Sequence, residues 1–185
     1  ASAGLLWRYY ERRLVGSIEL GQMVDQRLIQ PIDAVDTGTQ LVVDPTSLYP
    51  GVQPCSLSYV ISLLNRPWDF EIPTDHMFHA AVKIVSDILL QTIQHCKAEL
   101  KARDLVLASE QSGRVLYLDR GMPWQKTVVE QMPDVLLVVL PGQNEDWLVQ
   151  TVPQRLGSFD NRINLPADWA GLRDKPLQRL TGVPD

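Results

Sequence analysis

The chain has 185 residues, of which 45% are hydrophobic, 21% charged and 7% aromatic, with a formal net charge of −5 at pH 7. That composition argues against disorder, a collagen-like repeat or a membrane protein, and the length suits one moderate domain or pieces of two. The acidity also argues against a protein that coats nucleic acid through bulk charge, although residues 151–185 carry Arg155, Arg162, Arg173, Lys175 and Arg179 against Asp160, Asp168, Asp174 and Asp185, enough to engage a phosphate locally.

From the N-terminus, Ser2 to Val15 reads as a helix. Ser2 is its N-cap, Leu5, Leu6, Tyr9, Tyr10 and Leu14 form its apolar stripe, and Gly16 ends it. Residues 1–10 show no initiator Met and no signal-peptide layout, so the chain reads as the middle of an open reading frame. A second helix runs from Ser17 to Ile29, and Pro31 is expected to kink or restart it because proline cannot donate to the preceding turn. The stretch Pro31 to Asp36 then stops at Thr37-Gly38. Residues 44–55, with Pro45, Pro50, Gly51 and Pro54, read as a loop or domain junction.

Ser56 to Leu64 is a short apolar helix, halted before Pro67. Thr74 caps a long amphipathic helix from about Asp75 to Glu110, in which Phe78, Ala81, Val82, Val85, Leu89, Ile93, Cys96 and Leu100 recur at spacings of three and four as a core-facing stripe. After Gly113 the period shortens. Residues 115–118, 135–140 and 147–152 read as strands, with a short helix from Trp124 to Gln131 between the first two and a hairpin turn at Pro141-Gly142-Gln143-Asn144. Two short helices follow, near Ala167–Leu172 and Pro176–Leu180. The expected class is α+β: helices first, including one long amphipathic helix, then a small sheet flanked by short helices. No apolar run reaches the ~20 residues of a membrane helix. Cys55 and Cys96 stand alone, as buried small hydrophobes in a reducing compartment would, so the cytoplasm is the expected location.

The common cofactor and nucleophile motifs are absent: the chain has no GxGxxG, GxxxxGK[ST], GxSxG or HExxH. Three features remain. Asp33 and Asp36, in Asp33-Ala34-Val35-Asp36-Thr37-Gly38, put two carboxylates on one side of a helix near its C-terminus, where the macrodipole repels them unless a hard divalent cation neutralises the pair. The plainer alternative is that both are solvated or cap the following turn. His76 and His79 share a helical turn beside Asp75, a feasible metal pair. Asp75 equally suits a first helical turn, and the histidines a solvated face, so this group is not counted as a site. In the tail, Arg155, Ser158, Arg162, Trp169 and Arg173 combine guanidinium forks, a hydroxyl and an aromatic ring in a way that suits a phosphate and a stacked base. The competing role for Arg162 and Arg173 is ion pairing with Asp160, Asp168 or Asp174 to brace a loop.

The tail also carries a resemblance. Residues 147–153, Ser158-Phe159, Arg162, Leu165-Pro166, Trp169, residues 171–174 and 182–184 resemble the C-terminal signature of the MYG (melanocyte-proliferating-gene) exonuclease family, within the DHH phosphoesterase superfamily. Ser2-Ala3-Gly4-Leu5, Asp33 to Gly38 (with Thr37 where the family usually has Asn), Leu64-Asn65, Pro67-Trp68, Phe78, Ala81 and Pro123-Trp124 match further landmarks in the same order. The resemblance implies a phosphodiesterase that uses a pair of divalent metals, Mn2+ or Mg2+, and acts 3′-to-5′ on RNA or oligonucleotides. It implies Asp36 as a metal ligand and Asp33 as its close competitor. It also implies that residues 1–44 end the catalytic domain and that 45–185 begin a substrate-binding domain, incomplete at its C-terminus. The family's early histidine-and-aspartate and Asp-His-His motifs are expected before Ser2, so none of these 185 residues is assigned as catalytic and the chain alone is expected to hydrolyse little or nothing. A non-catalytic nucleic-acid or protein-binding module, or a structural piece that dimerises through its long helix, stays open as the alternative.

Overall fold

The computed structural model describes residues 2–39, 55–65, 67–69, 74–142 and 146–183. The expected junction over residues 44–55, apart from Cys55, and the expected domain boundary at 44–45 lie outside the described residues. The class is α+β, helices leading and a small mixed sheet following. Contacts divide the chain into two units, Ala1–Ala98 and Glu99–Asp185.

In the first unit, helix α1 spans Ser2–Val15 and ends at Gly16, whose φ of 72° is readily adopted only without a Cβ. Its buried face corrects the sequence expectation. Gly4 and Trp7, one turn apart, face inward, whereas Leu5, Leu6, Tyr9, Tyr10 and Leu14 are exposed. The Trp7 indole N–H donates to the Gly21 carbonyl at 3.3 Å, which satisfies the one polar atom that burying this ring brings with it. Helix α2, Ile18–Val24, starts at Ser17, whose hydroxyl accepts the Leu20 N–H.

Pro31 does not stop the chain's helical course. The backbone widens into a π turn over Asp25–Ile29, with the Gln30 N–H bonded to the Asp25 carbonyl, and helix α3, Gln30–Asp36, continues with Pro31 in its first turn. Widening accommodates a residue that has no N–H and whose ring crowds the preceding turn. Helix α4, Leu57–Ser62, is capped by the Ser56 hydroxyl, which accepts the Tyr59 N–H at 3.1 Å. Cys55, expected to be buried, is exposed just before it; Cys96 is buried.

Helix α5 is a single 35-residue element, Thr74–Ala108. Its apolar stripe is core-facing only in part: Ile93 and Cys96 are buried, but Phe78, Val82 and Val85 are exposed. Periodicity marks an apolar face; only a packed neighbour buries it.

In the second unit, strands β1 (Glu110–Ser112), β2 (Val115–Tyr117), β3 (Leu137–Pro141) and β4 (Trp147–Thr151) form one sheet in the order β1-β2-β3-β4. β1, whose first residue is expected from the sequence to end the long helix, pairs with β2 through a two-residue turn at Gly113-Arg114, where Gly113 has φ 58°. β2 and β3 are parallel, joined through helix α6, Gln125–Gln131; β3 and β4 are antiparallel, as expected for the hairpin. Its turn at residues 143–145 lies outside the described residues, and the Gly142 N–H closes the base on the Asp146 carbonyl at 2.8 Å. Leu116, Leu118, Val138 and Leu140 from the sheet pack with Trp124 and Val128 of the α6 segment, Val106 of α5 and Val152 into one core. Each such side chain stabilises the fold by roughly 1.5–3 kcal/mol. A 3-10 turn at Ala167–Trp169 and helix α7, Asp174–Thr181, follow, and Gly182 ends α7 in the left-handed conformation. No described helix is long and apolar enough to cross a membrane.

Candidate functional site

The carboxylate pair sits on α3, one turn apart, close to a well-made helix stop. After Asp36 the chain closes a Schellman motif: the Gly38 N–H donates to the Val35 carbonyl at 3.0 Å and the Thr39 N–H to the Ala34 carbonyl at 2.8 Å, with Gly38 at φ 82°. The Thr37 hydroxyl adds bonds to the Asp33 and Ala34 carbonyls, both at 3.0 Å. These contacts use up carbonyls that a helix end otherwise leaves to water, and so fix the last turn that carries Asp36.

The two acids have different surroundings. Asp33 is half-buried, and both its carboxylate oxygens accept the backbone N–H of Gly4, at 3.0 and 3.2 Å. Gly4 lies in the first turn of α1, so Asp33 is held by the positive end of a neighbouring helix rather than left at the negative end of its own. Position 4 is glycine because a Cβ there would run into the Asp33 carboxylate. Asp36 is exposed. Both line a cavity of about 470 Å3 with Ser2, Ala3, Ile32 and Ser58. Among the described residues no group of three or more His, Cys, Asp or Glu side chains stands close enough to hold a metal ion. The donor set here is therefore two carboxylates, all hard oxygen, the chemistry that Mn2+ or Mg2+ takes, and a partial set for either. His76 and His79 are exposed and line no part of this cavity; the His79 ring instead meets the edge of Phe78, centroids 5.9 Å apart.

The tail residues separate into different roles. Residues 153–161 form a loop closed by a bridge between Pro153 and Asn161, with the Gln154 N–H on the Asp160 carbonyl and the Arg162 N–H on the Val152 carbonyl, both at 2.8 Å. Arg155 is exposed on that loop, and the Ser158 hydroxyl accepts the Asp160 N–H at 3.0 Å. Phe159, beside Ser158, is fully exposed at 101%, an aromatic ring in the same loop.

Arg162 is anchored differently. One terminal nitrogen donates to the carbonyls of Met132 and Val135, both at 2.8 Å, and the other to those of Val129 at 3.0 Å and Val128 at 3.4 Å. The guanidinium thus caps the C-terminal end of α6, where exposed carbonyls and the helix dipole both favour a cation. Carbonyl oxygens, not the aspartates considered from the sequence, brace it. Trp169 is half-buried at the 3-10 turn, and Arg173 is exposed just before α7. The structure therefore gathers Arg155 and Ser158 into one loop and gives Arg162 to the fold.

Comparison with known proteins bears on what such a site does. A family model for MYG1 exonucleases, described as "Uncharacterised protein family (UPF0160)", matches residues 1–185. The chain is 30% identical to the mouse "MYG1 exonuclease" over 211 aligned positions, covering 100% of this chain and 55% of the mouse protein. It is 28% identical to the human "MYG1 exonuclease", covering 56% of that protein, and 27% identical to "MYG1 protein C27H6.8" of Caenorhabditis elegans, covering 62%. The chain thus spans little more than half the length of the mammalian relatives. No solved structure matches it.

Proposed function

Because the chain belongs to the MYG1 exonuclease family, we propose that it is the later portion of a divalent-metal-dependent phosphodiesterase of the DHH type, a 3′-to-5′ exonuclease acting on RNA or short oligonucleotides. The observation that carries this reading is the arrangement on α3: Asp36 exposed at a fixed helix end, in one cavity with Asp33. In it Asp36 is the metal ligand. Asp33 is held by Gly4 and faces the same cavity, where it completes the acidic wall. A bound Mn2+ or Mg2+ would lower the pKa of a coordinated water and neutralise charge on the phosphoryl oxygens. The remaining ligands come from outside residues 1–185, so this chain alone hydrolyses little. Residues 1–44 belong to the catalytic domain and 45–185 to the substrate-binding domain. Within the latter, Arg155 and Arg173 pair with backbone phosphates, Ser158 hydrogen-bonds a phosphate oxygen and Trp169 stacks on a base, while Arg162 keeps the adjoining structure in place. A cytoplasmic location fits this substrate.

The test is Asp36→Asn in the full-length parent. Metal-dependent turnover is expected to fall by orders of magnitude while the circular-dichroism spectrum and melting temperature stay at wild-type values. A variant that cuts RNA at the wild-type rate removes Asp36 from the site. A second reading, a binding module without catalysis, is favoured by the fact that only two carboxylates gather here among the described residues. It expects Arg155→Ala and Arg173→Ala to weaken RNA binding equally with and without metal, in a parent that shows no turnover.

A further inference from the structure

A cavity of about 580 Å3 in the second unit has no part in the site above; Glu110, Tyr117, Asp119 and Trp147 line it, with Leu105 and Ser109 at its side. Strand register puts Glu110, Tyr117 and Trp147 on the sheet face that points away from the core, and the buried Leu118 closes the cavity from the inner side. Glu110 lies across from Tyr117, Tyr117 beside Val139, and Val139 across from Val149. Trp147 is two residues along β4 from Val149, so alternation sends it to the same face, and Asp119 stands at the bend just past the end of β2. The residues between them on the inner face, Leu116, Leu118, Val138 and Leu140, are at most 8% exposed. Tyr117, Val149 and Trp147 are 41%, 48% and 62% exposed, an open aromatic and apolar face beside a buried one.

We infer that this cavity takes an unpaired nucleobase, with Tyr117 and Trp147 as stacking surfaces and the Glu110 and Asp119 carboxylates as acceptors for an amino-bearing base edge. The inference rests on the nuclease reading and adds to it the feature of the substrate that this unit selects. Aromatic side chains on an open four-stranded face stack bases that are free of a partner strand, and a duplex keeps its bases out of reach. Carboxylates only accept hydrogen bonds. Adenine and cytosine offer an exocyclic amino group to them, whereas the N–H of uracil is flanked by two carbonyl oxygens that the carboxylates repel. Arg120, paired with Asp119 at 2.8 Å, holds that carboxyl below its ordinary range and keeps it an acceptor.

The experiment uses the 185-residue chain in EDTA, where no metal-dependent cleavage occurs, and reads the anisotropy of labelled short oligo(A), oligo(C), oligo(U) and a duplex. Oligo(A) and oligo(C) are expected to bind more tightly than oligo(U), and the duplex most weakly. Trp147→Ala and Tyr117→Ala each weaken oligo(A) binding about tenfold to hundredfold, Trp147→Phe restores most of it, and Glu110→Gln flattens the preference for A over U. Alanine variants that keep their circular-dichroism spectrum and bind oligo(A) as the unaltered chain does would overturn the assignment. So would a chain that binds duplex as well as single strand. The aromatic and acidic lining also suits a quaternary ammonium group; displacement by tetramethylammonium but not by AMP would replace the base with a cation. If the parent fails to hydrolyse RNA while these variants still lose binding, the exonuclease reading falls and this one stands. If hydrolysis holds and the variants bind normally, only this one falls.

Discussion

In the second unit Val106, Leu116, Val128, Val135, Val138 and Val152 are all fully buried, whereas among the described residues of the first unit only Val24 and Cys96 reach that state. There Leu5, Leu6, Tyr9, Phe78 and Leu90 are each more than half exposed. The sequences of the two units do not differ in this way, since apolar stripes run through both. What differs is whether another element of the same unit covers the stripe. The second unit packs a sheet against α6 and the end of α5 and so encloses its own core; the first leaves one side of α1 and much of α5 open. The first unit thus exposes apolar side chains along α1 and α5, while the second buries its own.

The sharpest test of that contrast is a pair of truncations. Leu116→Ala, in the closed core, is expected to destabilise the chain by about 2–5 kcal/mol, while Phe78→Ala, of similar apolar character but exposed, changes it by less than about 0.5 kcal/mol. Urea unfolding followed by circular dichroism reads both, and equal losses would erase the distinction. Close behind comes Arg162→Ala. It takes the guanidinium from four carbonyls, of which those of Val128 and Met132 keep a backbone N–H, from Met132 and Val135, and a loss of about 2 kcal/mol is expected, with Arg162→Lys recovering only part because an ammonium cannot reproduce the fork. An Arg162→Ala chain of unchanged stability that loses only RNA binding would return Arg162 to the substrate.

These residues also show what a sequence can convey. The bounds of α1, the stop at Gly38, the β3–β4 hairpin and the α6 helix were all legible, because caps, turn residues and periodicity are local. The buried face of α1 was not. Five apolar residues outweigh one tryptophan in any moment, yet Trp7 is the residue that meets α2, and Gly4 is inward because Asp33 needs the space. β1 escaped notice because Glu110-Gln111-Ser112 is a polar edge strand whose identity comes from pairing with β2. At the candidate site the proximity of Asp33 and Asp36 could be read from spacing, but their division of labour could not. It depends on an N–H supplied 29 residues away. The destinations of the Arg162 fork lie 27 to 34 residues away, beyond what any motif records.

That division of labour gives the third test. Asp33→Ala removes the acceptor at the start of α1 and is expected to cost about 1 kcal/mol. Asp36→Ala removes no hydrogen bond among the described residues, and the melting temperature should not move. Comparable losses from the two would mean that Asp36 also serves the fold, and would weaken its assignment to a cation.

The smallest effect belongs to the pair Asp119–Arg120, fully exposed and joined at 2.8 Å. The hydrogen bond from Arg120, and its charge, lower the Asp119 pKa in the folded chain. A depressed carboxylate pKa contributes stability that is complete above the unfolded-state value and is lost as pH falls through the folded one. The contribution therefore disappears only under acid conditions, below the ordinary aspartate range, and at an exposed site it is slight. The carboxyl carbon shift of Asp119, followed by NMR from pH 6 downward, is expected to titrate at lower pH in the wild-type chain than in Arg120→Ala.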